Sequence, residues 1–359
     1  MTTTKNITEE MVLKALSTVM DPELNKDLVS ANMIRDIVID GSAVSFKLVL
    51  TTSACPLKKE LEDAARLAVA GIEGVENIGV AVTADAPQAK EAPQAKKMPE
   101  KRPIAGVKNT IAVASGKGGV GKSTVAVNLA LALAGTGAKV GLLDADVYGP
   151  SIPRMMGIHE QPQATEDEKL IPIENHGVKL MSVGFMLDEE TPLIWRGPLV
   201  MQLINQFLTG VLWGELDYLV IDLPPGTGDV QLTLVQTIPL TGAVITTTPQ
   251  DIALLDARRA IKMFGEVKVP VLGIIENMSV FVCPHCGEGT EIFSHGGGQK
   301  TSERYEVPML GKLPLDLKTR EGGDSGNPVV VGEPESEQAR AFHDIACNLA
   351  GKISVLDLS

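Results

Sequence analysis

The run IAVASGKGGVGKSTVAVNLALALAG, Ile111 to Gly135, limits the fold of this chain more than any other stretch. An apolar strand pattern passes into a glycine-rich turn, Gly116-x-x-x-x-Gly121-Lys122-Ser123, which opens an amphipathic helix pattern. Strand, loop and helix in that order form a phosphate cradle. Gly116, Gly118, Gly119 and Gly121 let the loop backbone, with Lys117, Val120 and Thr124 in the same stretch, close its amides around phosphate oxygens. The helix N-terminus adds a favourable dipole, Lys122 supplies positive charge, and the Ser123 hydroxyl can ligate Mg2+. Lys117 is an addition that the general motif does not specify.

Elsewhere one pattern recurs. KVGLLDADVYGP, DYLVIDLPPGTGD, GAVITTTPQD, VPVLGIIENMS and VPMLGKLPLD each carry a near-continuous apolar run into a polar, Gly- or Pro-containing turn. Such strands, alternating with helices, predict an α/β fold: a mainly parallel sheet with helices on both faces and ligands beyond the carboxyl ends of its strands. This domain is placed at residues 106–359. Residues 1–84 read as a small α+β unit: helical EEMVLKALSTVM, strands IRDIVID and AVSFKLVL joined by a hairpin at Asp40-Gly41, helical PLKKELEDAARLAVAGI, and a last strand NIGVAV. Between them, residues 85–105 repeat APQAK and are almost wholly Ala, Pro, Gln, Lys and Glu, a linker composition.

The net charge of −13 leaves no overall positive field for phosphate backbones or anionic lipids, so nucleic acid and membrane partners are not expected. The opening MTTTKNITEEMVLKAL has no basic, apolar and cleavage-site sequence of a secretory leader, and no run approaches the ~20 apolar residues of a membrane span. A cytoplasmic location follows as the expectation. Four cysteines, Cys55, Cys283, Cys286 and Cys347, are too sparse for a disulfide framework.

Two strand ends add acids to the loop. Asp144 and Asp146 stand two apart in LLDADVYGP, and Asp222 in LVIDLPPGTGD is the acid expected near the Mg2+ ligand shell. Each taken alone could equally cap a helix. Asn277 in IIENMS ends a further strand, where a turn-forming role is an alternative to ligand contact.

With Lys117, the loop KGGVGKST resembles the deviant Walker A motif of the family that includes MinD, ParA and the nitrogenase iron protein. That resemblance implies ATP as the nucleotide, a slow switch-type ATP hydrolase, and a homodimer in which Lys117 reaches the partner's nucleotide. It also implies that Asp146 orients the attacking water, that Asp144 supports the Mg2+ site, that Gly226 to Asp229 is the second switch, and that Asn277 reads adenine. The segments DADVYGPSIPRMMG, WRGP, DLPPGTGD, TTPQD and ENMSVFVCPHCG narrow the resemblance to the Mrp branch, also called ApbC or Nbp35-like, carriers or scaffolds for iron-sulfur clusters. DPELNKDLVSANMIRDIVID followed by LTTSACPLKKELE resembles the MIP18-type domain of iron-sulfur assembly. Together these imply an ATP-dependent carrier that delivers clusters to apo iron-sulfur proteins and works with assembly factors.

Cys283 and Cys286 form a CxxC, two ligands where a Zn2+ or cluster site wants four. Three readings stand: a Cys2His2 zinc knuckle completed by His285 and His295, a thiol redox pair, or half of a site shared by two chains. If the homodimer implied by Lys117 brings two copies together, their four thiolates make the complement of a [4Fe-4S] cluster. A positioning ATPase of the MinD or ParA kind, or an ATPase with structural zinc at the CxxC, are the alternatives. Cys55 in TTSACPL, just before a helix, is either a thiol of lowered pKa, which the MIP18 resemblance implies as a candidate transfer thiol, or a small buried hydrophobe, and Cys347 reads as core.

Overall fold

The computed structural model describes residues 7–21, 26–50, 58–84, 103–186 and 197–356. Most of the expected linker, Cys55, and Trp195 and Arg196 of the WRGP segment lie outside the described residues. The chain divides into two compact units, residues 1–92 with 350–359, and residues 93–349.

The small unit runs α1 (Glu9–Leu16), β1 (Met20–Asp21), β2 (Lys26–Asp27), β3 (Ile34–Asp40), β4 (Ala43–Leu50), α2 (Lys58–Ala70) and β5 (Asn77–Ala84). The Thr8 hydroxyl caps α1 by accepting from the Met11 amide. β3 and β4 form the expected hairpin, with Gly41 at φ 61 in the turn, and β5 joins β4 in parallel. Alternation along β4 turns Val44, Phe46 and Leu48 inward onto Leu16, Leu61 and Val69, while Ser45 and Lys47 face out.

The large unit contains β6 (Val107–Ala114), α3 (Lys122–Gly135), β7 (Val140–Asp144), α4 (Ile152–Met155), β8 (Ile173–Asn175), β9 (Val178–Ser182), α5 (Gly197–Thr209), β10 (Leu216–Asp222), α6 (Asp229–Thr237), β11 (Gly242–Thr247) and α7 (Asp251–Glu266). It continues through β12 (Val271–Val282), β13 (Gly289–Thr290), α8 (Gly297–Tyr305), β14 (Met309–Leu315), α9 (Leu317–Ser325), α10 (Val329–Gly332) and α11 (Glu337–Leu356), whose last turns, from residue 350, are counted with the small unit. Its sheet follows the order β13-β12-β11-β6-β10-β7-β9-β8, with β14 also on β12; only the β12–β13 and β8–β9 pairs are antiparallel. Helices flank the sheet, α3 against β6, β7 and β10, α7 against β11 and β12, and α8 against β12 and β14. This is the expected α/β architecture.

One expectation needs correction. α3 is not amphipathic: ten of its fourteen residues are buried, because it packs on the sheet, α4 and α10 together. No helix among the described residues is long and apolar enough to cross a membrane.

Leu48 is wholly buried at the centre of the small unit's core. Leu48→Ala should cost ~2–5 kcal/mol of that unit's stability through lost transfer energy and the cavity left behind. Denaturant unfolding of the full chain, followed by far-UV circular dichroism, measures it.

Candidate functional site

Parallel pairing sets the site's residues side by side. Asp222, the last residue of β10, is the register partner of both Val113 and Asp144, and Asp144 is that of Ser182. Three strand ends therefore carry Asp222, Asp144 and Ser182 in a row, beside the strand that feeds the glycine loop. This is where a parallel sheet leaves polar groups free for a ligand.

The loop's glycines serve different ends. Gly121 sits at φ 80, and a side chain there would also strike the Asn277 amide. A Cβ on Gly116 would run into the backbone of Asp256 and Ala257, so glycine is what lets α7 pack onto the loop. At Gly118 and Gly119 a Cβ would meet nothing within 4 Å, which leaves that stretch of backbone bordering open space. The first turn of α3 carries no acidic residue, whereas α1, α6 and α7 each have at least one. No acid of its own thus offsets the helix's amides and dipole, the arrangement that favours an anion.

Lys122 is buried among carboxylates. Its ammonium lies 2.7 Å from Asp222 Oδ1 and 3.5 Å from Asp146 Oδ2, and the Ser123 hydroxyl donates to Asp222 Oδ2 at 2.6 Å. Asp144 makes other bonds: it accepts from the Ser182 hydroxyl at 2.9 Å and from the amides of Asp146 and Ile152 at 3.1 and 3.4 Å. Asp144 therefore stands behind Asp222 and holds the loop that presents Asp146. Burial, and next the Asp222 charge, push the Asp144 carboxyl up to about 8. Burial also raises Asp222, against the pull of Lys122 and Ser123.

These residues fit Mg2+ and a triphosphate. Ser123 Oγ and Asp222 Oδ2 form a pair of hard oxygen donors. Asp146 Oδ1 is buried without a hydrogen-bond partner, an acceptor ready for a water or other donor. Lys117 is half-buried and, among the described residues, enters no ion pair. Gly226, at the start of the segment expected to be the second switch, is tied to the loop, since its amide donates to the Ser115 carbonyl at 2.9 Å.

Asn277 does not form a turn. It lies within β12, and its amide donates to the Val120 carbonyl of the loop at 2.9 Å. Ser182 and Glu276 escaped the sequence reading. A polar residue ending the apolar run VKLMS, and a carboxylate inside the apolar run IIENM, were the available signals.

Cys283 and Cys286 lie at the tip of the β12–β13 hairpin. The Cys283 amide donates to the Glu288 carbonyl at 3.0 Å, and Gly287, at φ 72, returns its amide to the Cys283 carbonyl at 2.8 Å. The turn aims the amides of Cys286 and then His285 at the Cys283 sulfur, and these bonds, with the Cys286 thiol, lower its pKa. Both cysteines are free thiols. Among the described residues no three His, Cys, Asp or Glu side chains converge as a metal site. His295 instead meets Glu291 at 3.4 Å and is 70% exposed. Cys347, expected in the core, is only half-buried on α11; burial and then the Asp344 charge raise its thiol pKa.

The raised Asp144 pKa makes a pH prediction. The folded carboxyl holds a proton that the unfolded chain, with its ordinary value of 3.8, has released. The associated stability is full below pH 3.8 and is lost as pH rises through about 8. Asp144→Asn should flatten the fall in melting temperature between about pH 5 and 8, as measured by scanning calorimetry in buffers of matched ionic strength.

Residues 9–82 match a family model described as iron-sulfur cluster assembly protein. An iron-sulfur cluster carrier protein of Synechocystis sp. is 52% identical over 98% of this chain and 99% of its own length. One of Deinococcus radiodurans is 50% identical over 98% of this chain and 97% of its own. A solved nucleotide-binding protein from Archaeoglobus fulgidus, in complex with ADP, superposes with a TM-score of 0.59 at 41% identity, over 67% of this chain and 93% of that one. Residues 106–350 match the model described as NUBPL iron-transfer P-loop NTPase, and to that family this chain belongs.

Proposed function

We propose that this chain is an ATP-dependent iron-sulfur cluster carrier, which holds a [4Fe-4S] cluster between two subunits and delivers it to apo-proteins. The observation that carries the reading is the hairpin tip: two thiols, Cys283 of lowered pKa and exposed Cys286, with no third ligand gathered around them among the described residues. A tetrahedral thiolate site then needs a second copy, and a two-fold axis supplies the same pair again. Amide-to-sulfur hydrogen bonds of the kind made to Cys283 are among the contacts that tune cluster thiolates. The carrier names of the full-length relatives support the same reading.

In the nucleotide site, the loop amides and α3 N-terminus hold the phosphates, and Lys122 shifts its charge towards them. Ser123 and Asp222 would hold Mg2+, which would supply positive charge against the charge developing on the phosphates. Asp146 orients the attacking water through its unpartnered oxygen, and Lys117 completes the partner's site. Asn277 is assigned to adenine contact alongside its bond to the loop. Hydrolysis is slow and coupled to loading or release of the cluster. Cys55 is assigned as a transfer thiol, in a reducing compartment such as the cytoplasm.

Anaerobic reconstitution with iron and sulfide tests the cluster. Wild type should bind iron and sulfide in about equal amounts, and a Cys283→Ala/Cys286→Ala variant should lose most of both. Equal contents in the two proteins would sink the proposal. For the dimer, sedimentation with ATP and Mg2+ should show wild type associating and Lys117→Ala remaining a monomer with nucleotide bound.

A further inference from the structure

β12 runs from the phosphate loop to the thiol hairpin, and its contacts change character on the way. Glu276 and Asn277 are neighbours whose side chains leave opposite faces of the strand. Asn277 holds the Val120 carbonyl. Glu276, 1% exposed, accepts from the Gly298 amide at 2.6 Å, where the chain returning from the thiol hairpin enters α8. Both ends of the hairpin's path are thus anchored at one point on β12.

Immediately beyond this anchor the strand is irregular. Met278 has φ 55, a conformation that L side chains seldom adopt. The ladder from β12 to β14 pairs Asn277 with Leu313, breaks, and resumes only at Phe281 with Leu315. Past the break the strand is regular again: Phe281 pairs with Thr290, Val282 with Gly289, and the Cys283 amide bonds Glu288. Residues 278–280 therefore bulge opposite Pro314, with the Ser279 hydroxyl donating to the Leu313 carbonyl at 3.1 Å, and lie between two regular segments, a place where a strand can bend as a hinge. The distance from Asn277 to Cys283 is six residues of extended chain, at most about 20 Å.

The Val120 carbonyl belongs to the same rigid peptide plane as the Gly121 amide, one of the amides that faces phosphate in a loop of this type. Any turn of that plane towards a phosphate moves the oxygen that Asn277 grips. We propose that Asn277 and the Met278 hinge couple the nucleotide to the thiols: rotation of the Val120–Gly121 peptide shifts Asn277, and the hinge converts that shift into a movement of the hairpin bearing Cys283 and Cys286. The proposal rests on the nucleotide and thiol roles assigned above and adds the route between them. In this route Asn277 acts through the loop and strand, as a positioning residue, in addition to the adenine contact assigned above.

The test uses metal-free, reduced full-length protein. The rates of iodoacetamide labelling at Cys283 and Cys286 are read by peptide mass spectrometry, with and without a non-hydrolysable ATP analogue and Mg2+. Each variant is studied at analogue concentrations that saturate it by its own binding titration. In wild type, saturation should change the labelling rate of at least one of the two cysteines about fivefold or more, the low end of ordinary coupling between sites. Asn277→Ala, which removes the grip, and Met278→Gly, which loosens the hinge while leaving the Asn277 side chain, should each bring that ratio close to one. A wild-type ratio near one, or a bound variant that keeps the wild-type ratio, overturns the route. If Asn277→Ala takes up no nucleotide, Met278→Gly decides alone. Iron and sulfide binding is measured separately, so a chain that binds cluster without this response rejects the coupling alone, and one that responds without binding cluster rejects the carrier reading alone.

Discussion

The buried contact between the Lys122 ammonium and the Asp222 carboxylate, 2.7 Å apart, organises the large unit. Four ionisable groups, Lys122, Asp144, Asp146 and Asp222, share one pocket with little or no exposure. Taking so many charges from water is costly unless they are paired, protonated or bound to a cation. Asp144 is held towards its protonated form by burial and the neighbouring Asp222 charge, and Lys122 sets its one ammonium against both Asp222 and Asp146. That is a good environment for a divalent cation and for phosphates held by the neighbouring amides. The same residues that make the site stable make it receptive.

Other parts of the fold serve that cluster. Ser182, from a strand two places away from β10, satisfies Asp144, which in turn ties down the amides of Asp146 and Ile152. Gly116 lets α7 close against the loop, and α3 is sunk into the core, so the loop has a rigid base. β12 then extends beyond the sheet's core and carries Cys283 and Cys286 on its hairpin. A nucleotide site and a thiol pair share one strand, which gives mechanical meaning to finding both in a single domain.

Much of this was legible before any coordinates. The strand, glycine loop and helix around Lys122 follow a backbone requirement, and backbone requirements leave spacing in the sequence. The hairpin at Asp40-Gly41 and the alternation along β4 were legible for the same reason: turn chemistry and period are local. The burial of α3 was less so, because periodicity describes one helix and not how many neighbours surround it. Asn277 was visible at the end of an apolar run, but its bond to Val120 spans 157 positions and no local rule predicts it. Ser182 and Glu276 were missed for that reason too: a lone serine or glutamate acquires its role from a register or a helix end supplied elsewhere.

The sequence by itself determined the kind of chemistry: a phosphate cradle with an added lysine, acids at strand ends, and a CxxC pair of thiols. These depend on residue type and short-range spacing, which covalent geometry preserves. Only the tertiary structure decided which acid meets Lys122, which is held back by Ser182, and how Cys283 is linked to the loop through β12. Those are matters of strand order and register, and they are set by the packing of the whole sheet rather than by any segment of it.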